Sequence, residues 1–294
     1  MIDGTFNLDT KDDPQLDIRD GLSTGHFRQL AEMIEDYAGI RMPAAKKVMV
    51  EGRLRRRMKH LGFANLGAYC EHVLGDGQDR EFVHLIDAVT TNKTEFFREP
   101  RHFEFLARQG LAALQADTGA GADRPLAAWS AACSTGAEPY TLAIVMKEFA
   151  RSHPGFTARV LGTDISFDVL AQAHLGIFPE EQIALVSKEL RRRYFLRARE
   201  PSRHEVRVIP ELRRDVAFGR LNLMDQAYRL PHDMDIILCR NILIYFDKPT
   251  QARVLAHLSE HLTPEGFLII GHSEATAGFA LPLRQVAPTI FRKL

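Results

Sequence analysis

The feature that most restricts the fold is a change of hydrophobic period near residue 90. Before it, apolar residues recur at helical spacing: Phe27, Leu30, Ile34 and Tyr37, then Val50, Leu54, Met58 and Leu61. Ser23 or Thr24 is placed to cap the first of these helices, Gly39 to end it, Pro43 to open the next and Gly62 to stop it. Residues 66–74 and 80–89 continue the helical pattern, and no strand-like alternation appears. After residue 90, short apolar runs at 125–132, 159–162, 216–219, 236–239 and 267–270 alternate with helical stretches at 139–150, 167–174 and 249–262. Strands alternating with helices predict a parallel sheet wound by right-handed crossovers. The expected fold class is therefore α/β, a Rossmann-like domain over residues 91–294, preceded by a small all-helical domain over 21–90. Residues 1–20 read as a flexible acidic tail. Residues 195–211 break the alternation, and HEVRVIP reads as one arm of an inserted antiparallel β-subdomain. Residues 110–124 read as a helix end and a loose loop.

Composition excludes several function classes. Lys plus Arg and Asp plus Glu both number 38, so no global field favours nucleic acid or an acidic membrane. Cys70, Cys133 and Cys239 stand far apart without a CxxC pair, which suggests neither disulfides nor a zinc site. The first residues lack a secretion signal's basic-then-apolar pattern. No apolar run reaches the ~18 residues of a membrane span. The expectation is a cytoplasmic protein with no metal and no membrane insertion.

Ligands of open α/β sheets bind beyond the carboxyl ends of the strands. Three strand ends carry suggestive residues. In SAACSTGAEPY, small residues permit close backbone approach, and Glu138 at the helix start either caps that helix or faces a ligand ammonium. Gly136 stands there without a GxGxxG partner set, which disfavours a nicotinamide dinucleotide. Asp164, ending the second strand, either caps the next helix or binds ribose hydroxyls. In CRNILIYFD, Asn241 offers donors and acceptors, and Tyr245 either packs in the core or faces the reacting centre. At the domain junction, TTNKTEFFREP brings Asn92, Thr94 and Arg98 close. If residues 94–98 are helical, Thr94 and Arg98 share a face, and Arg98 is suited to clamp a carboxylate. Finally, residues 46–60 hold seven basic residues against one acid. Arg53, Arg56, Arg57 and His60 line one stripe, either a solvated face or a surface for an acidic partner.

Six blocks in order, TTNKTEFFREPRHF, WSAACSTGAEPYTLA, GTDIS, GRLNL, ILCRNILIYFDKPTQ and LTPEGFLIIGHSE, resemble the CheR family of chemoreceptor glutamate methyltransferases. The resemblance runs from about Gly21 to the C-terminus. It implies a helical N-terminal domain followed by an S-adenosylmethionine-dependent methyltransferase domain with an inserted β-subdomain. It implies cofactor contacts at Asn92, Thr94, Arg98, Glu138, Asp164, Asn222, Leu223, Arg240 and Asn241, and S-adenosylhomocysteine as the product. Tyr245, with Arg98, is implied near the transferred methyl. Arg53, Arg56, Arg57 and Lys59 are implied in recognition of the receptor's cytoplasmic methylation helices. Some members dock a receptor C-terminal pentapeptide on a glycine-containing turn of the β-subdomain. Here FLRAREPSRHEVRV has no glycine, so no such tether is expected.

The chemistry suits these residues. A glutamate carboxylate, with an ordinary pKa of ~4.3, is already an anion at neutral pH and needs no strong base. The candidate site accordingly shows no Ser-His-Asp or Cys-His set. Alternatives of other kinds are a methyltransferase of this fold acting on another protein or a small molecule, and a noncatalytic S-adenosylmethionine-binding signalling module. A nucleic-acid methyltransferase fits poorly, since no aromatic platform interleaves the basic run.

Overall fold

The computed structural model describes residues 21–75, 77–274 and 280–294, with the side chains of 78–80 and 201 excepted. The tail expected over residues 1–20 lies outside the described residues.

The helical part holds α1 (Thr24–Ala38), α2 (Lys47–Leu61), α3 (Leu66–Leu74) and α4 (Gln78–Val89). Its stops and starts follow the local chemistry. The Ser23 hydroxyl accepts the His26 N–H, the Asn65 side chain accepts the Ala68 N–H, and Gly39 and Gly62 end their helices with left-handed φ. Leu30, Ile34, Leu54, Met58 and Tyr69 form the fully buried faces.

The chain then runs through α5 (Pro100–Phe105), a single π-helical stretch and α6 (Leu111–Thr118). The loop expected at 110–124 is thus mostly helix, ending at Gly119. The apolar side chains of Leu111 and Leu114 are buried by packing the sequence pattern did not reveal. Next come β1 (Leu126–Ala131), α7 (Ala137–Ser152), β2 (Ala158–Asp164), α8 (Phe167–Leu175), β3 (Ile177–Pro179), α9 (Lys188–Tyr194), β4 (Phe195–Arg197), β5 (Glu205–Val208), α10 (Pro210–Arg214), β6 (Val216–Arg220), β7 (Met234–Cys239), α11 (Lys248–Glu260), β8 (Leu262–Ile270), β9 (Leu283–Ala287) and β10 (Ile290–Lys293).

The main sheet has seven strands in the order β6-β2-β1-β7-β8-β10-β9. Pairing is parallel from β6 to β8, and β10 is antiparallel to both its neighbours. Every residue of β1 and β7 is buried, as expected of central strands covered on both faces. One face shares a core with α1–α4 and α11; the other packs on α5–α7 and on the small sheet. The helical domain therefore has no separate core: Leu30, Leu54 and Tyr69 belong to the same cluster as Trp129, Ile237 and Leu268. The C-terminal β9–β10 hairpin extends the sheet beyond what the pattern suggested.

The small sheet has the order β3-β5-β4 and is antiparallel. It reaches back to Ile177, so the bounds 195–211 were too narrow. Ile177–Pro179 is three residues long and carries no alternation of its own, which left that strand unreadable.

Candidate cofactor site

Strand order reverses between β1 and β7, and a cleft opens there at the carboxyl ends of β1, β2, β6 and β7. It encloses about 1090 Å³, open mouth included. Asn92, Thr94, Arg98, Glu138, Asp164, Asn222, Leu223, Arg240, Asn241 and Tyr245 all line it. Residues from the junction, four strand ends and a 3₁₀ turn (Leu243–Tyr245) are thus brought to one cavity. The helical domain supplies part of the wall through Ala38, Ile40, Met42 and Lys46.

The walls differ in chemistry. Asp164, at the end of β2, is buried. Its Oδ2 accepts the Ser134 N–H at 2.8 Å and its Oδ1 accepts the Ser166 N–H at 3.0 Å. The Ile165 amide bonds the carboxylate as well, and the lone-pair capacity that remains suits the hydroxyls of a ribose. Burial raises this carboxyl above its ordinary pKa, against the pull of those amides. Nearby, Ile165, Leu221 and Leu223 provide an apolar wall suited to a flat nucleobase. Asn222 is fixed by two bonds: its Nδ2 donates to the Tyr37 carbonyl at 2.7 Å, and its Oδ1 accepts the Met224 N–H. These groups fit a nucleoside. At the other end, Asn92, Thr94 and Arg98 offer amide, hydroxyl and guanidinium groups to an amino-acid tail. The Asn92 carbonyl accepts the Ser134 hydroxyl at 3.0 Å, tying the junction to the turn after β1.

Two sequence expectations change here. Residues 91–99 are not helical. They form an extended segment and turn in which Phe97 and Glu99 adopt left-handed φ of 57° and 56°. Ala132, Ser134 and Asn241, also on this cleft, are left-handed as well. Such backbone is costly for most side chains and concentrates at functional sites. Arg98 reaches its position through this turn, and its Nη1 donates to the Lys93 carbonyl.

Arg240 and Glu138 are also less free than expected. Arg240 Nη1 donates to Glu138 Oε2 at 2.8 Å, and Nη2 donates to the Arg98 carbonyl and to Glu99 Oε2 at 3.0 Å. The other Glu138 oxygen accepts the Ser130 hydroxyl at 2.7 Å. Arg240 is therefore a buried brace in the cavity wall, holding the Arg98 main chain to the start of α7. Asn241 Nδ2 donates to Glu99 Oε1 at 3.1 Å. Burial opposes the Glu99 charge, but Asn241, Arg240 and the His272 amide hold its carboxyl down at about 2. Sequence reading missed Glu99, and also Glu274, whose carboxylate accepts the N–H groups of Asn241, Leu243 and Gly271. No spacing signal links positions 99, 241 and 274.

Tyr245 is half-buried at the cavity, with the Lys46 ammonium 5.0 Å from its ring centroid. Burial, then repulsion from Arg53, lowers the Lys46 pKa. Cys133 also lines the cavity, but burial pushes its thiol well above the ordinary value, so it is a neutral wall and not a nucleophile.

On α2 the four basic residues separate. Arg53 Nη1 caps α4 by donating to the carbonyls of Val89 at 2.6 Å and Thr90 at 2.7 Å. Arg57 forms a two-pronged ion pair with buried Glu81, at 2.7 and 2.8 Å. Arg56 and Lys59 are exposed.

Residues 92–290 match the family described as "CheR methyltransferase, SAM binding domain", and residues 25–90 match "CheR methyltransferase, all-alpha domain". The chain belongs to the CheR methyltransferase family. A "Chemotaxis protein methyltransferase" of Klebsiella aerogenes is 40% identical over 255 residues, covering 86% of this chain and 84% of that one. "Chemotaxis protein methyltransferase 2" of Pseudomonas aeruginosa is 37% identical over 265 residues, covering 90% and 91%. The Escherichia coli "Chemotaxis protein methyltransferase" is 37% identical over 260 residues, covering 88% and 87%. Residues 92–290, which carry the cleft, are accordingly the S-adenosylmethionine-binding domain of a CheR-family methyltransferase. No helix among the described residues is long and apolar enough to cross a membrane.

Proposed function

We propose that this CheR-family chain methylates glutamate side-chain carboxylates on the cytoplasmic helices of chemoreceptors. The observation that carries the reading is the single cleft gathering Asn92, Arg98, Glu138, Asp164, Asn222, Asn241 and Tyr245, in a chain whose relatives are named chemotaxis methyltransferases.

Bound S-adenosylmethionine supplies an electrophilic methyl on sulfonium. The chain's part is to hold and exclude. Asp164 accepts the ribose hydroxyls, Asn222 and Leu223 flank the base, and Asn92, Thr94 and Arg98 receive the amino-acid end. Glu138, Arg240 and Asn241, in the same cleft wall, form the brace that fixes the Arg98 turn. Tyr245 and Lys46 stand at the cleft where a glutamate carboxylate enters. That carboxylate arrives ionised, so Tyr245 orients it without taking a proton. Alignment of the reacting groups then supplies much of the rate, up to ~7–11 kcal/mol in favourable cases.

Receptor recognition falls to the exposed Arg56 and Lys59 on α2, which suit a glutamate-rich helix by charge. The turn between β4 and β5 has no glycine, though His204 adopts the left-handed conformation at φ 48°. The proposal is that methylation proceeds without a receptor-tail pentapeptide docked there. Tight binding of such a peptide in calorimetry would contradict this.

The deciding experiment incubates the chain with labelled S-adenosylmethionine and receptor-bearing membranes. The expected result is label in the receptor band that is released as methanol by mild base. Label that survives base, or appears only on other proteins, would reject glutamate esterification.

A further inference from the structure

Glu99, His102 and His272 converge beside the cofactor cleft. The Thr289 hydroxyl donates to the Pro288 carbonyl at 2.7 Å and its oxygen lies 2.8 Å from His102 Nε2, a contact that the tautomer with its proton on Nε2 satisfies. In that tautomer His102 Nδ1 is a bare lone pair. The residue is only 1% exposed, Nδ1 has no hydrogen-bond partner, and it lies 3.5 Å from Glu99 Oε2. In that tautomer two lone-pair atoms face each other in a buried site, a pair that a shared cation would join.

One pair of these atoms meets the geometry of a metal ion. Tetrahedral bonds of about 2.0–2.1 Å place neighbouring ligand atoms about 3.3–3.4 Å apart. That is close to the observed 3.5 Å. His272, with its ring centroid 4.7 Å from that of His102, supplies the third donor, and one ligand atom from each of the three residues lies within 4.8 Å of the others. Charge favours the ion as well. The buried Arg240 guanidinium faces two carboxylates, Glu99 and Glu138, and so leaves an excess negative charge. An ion on Glu99 Oε2 would draw it from Arg240 Nη2, which keeps the Arg98 carbonyl as a partner.

We propose that Glu99, His102 and His272 form a binding site for a divalent transition ion of the zinc class, with a fourth position open to solvent. Two imidazoles and one carboxylate are the donor set of that class. The site does not depend on the receptor assignment. His272 lies 170 residues beyond His102, so no motif spacing announces it.

The test uses the full chain stripped by chelator and titrated with Zn²⁺ in a calorimeter, then with Co²⁺ in an absorption spectrometer. Wild type is expected to bind one equivalent and to show the intense visible bands of four-coordinate cobalt without a thiolate charge-transfer band. His272 is exposed, so His272→Ala keeps the fold and the methylation rate without added metal. It is expected to lose at least ~10-fold in zinc affinity. Absence of binding by the wild type, equal affinity in the variant, or a thiolate band pointing to a cysteine site would each overturn the proposal.

Discussion

Tyr245 shows what a single side chain contributes here. Its ring lies under the Lys46 ammonium and its main-chain carbonyl accepts the Arg41 N–H, so the helical domain holds it from two directions. The hydroxyl is then the part free to meet substrate. Tyr245→Phe keeps the ring and should lower kcat about ten-fold, the effect of one lost ~1.4 kcal/mol interaction. S-adenosylhomocysteine affinity by calorimetry should stay within about two-fold. Unchanged turnover would remove the phenol from catalysis. Asp164 makes a different prediction, about pH. Burial raises its carboxyl, and in its proposed role the ionised form accepts the ribose hydroxyls. Cofactor affinity should therefore be full above the Asp164 pKa and fall as pH drops through it, earlier than an ordinary aspartate would allow. Asp164→Asn should flatten that profile. Glu99 runs the opposite way. Its folded pKa of about 2 lies below the unfolded value, so its stabilisation is present above ~4.3 and is lost as pH falls toward 2. At this scale residue types were legible and roles were not. Glu138 reads as a possible ligand from its place at a helix start, and Arg240 from the family resemblance. The pairing of Arg240 with Glu138 and Glu99 brings together the end of β7, the start of α7 and the junction before α5, which no local pattern encodes.

Among the elements, α2 best separates surface from structure. A helical wheel puts Arg53, Arg56 and Arg57 on one stripe, yet Arg53 caps α4 and Arg57 neutralises Glu81, whose other neighbour is the Tyr69 hydroxyl at 3.1 Å. Arg57→Ala should cost about 3–5 kcal/mol in urea unfolding, since it strands a buried carboxylate. The double reversal Arg56→Glu with Lys59→Glu should leave stability within about 0.5 kcal/mol. It should nonetheless weaken receptor methylation and flatten its salt dependence, with cofactor affinity intact. Loss of cofactor binding in that double variant would point to misfolding and would sink the docking role. Element existence was readable where caps and periods agree, as at Ser23, Gly39 and Gly62. It failed where tertiary contact overrides local signal. The conditional helix over 94–98 gives way to a turn with left-handed Phe97 and Glu99, to which Arg240 bonds, and β3 pairs only because β5 lies alongside.

The whole molecule behaves as one packing unit despite two family domains. The cluster that buries Leu30, Leu54 and Tyr69 continues through Trp129, Ile237 and Leu268, and cross-links such as Asn222 to the Tyr37 carbonyl join the halves at the cleft. Helices over 24–89 would expose that apolar face if the sheet unfolded first, so the two parts should melt together. The chain has one tryptophan, Trp129 in β1, whose indole donates to the Thr163 hydroxyl at 2.8 Å. Its fluorescence reports the sheet, while far-ultraviolet circular dichroism reports all the helices. The two thermal transitions should coincide. S-adenosylhomocysteine at 100 times its dissociation constant should shift both upward by the same amount, equivalent to about 2.7 kcal/mol. The cleft wall includes Ile40, Met42 and Lys46, so ligand binding energy is shared by both parts. A dichroism transition that precedes the fluorescence one, or a ligand shift confined to fluorescence, would show that the helical domain opens on its own and that its share of the cofactor wall is dispensable.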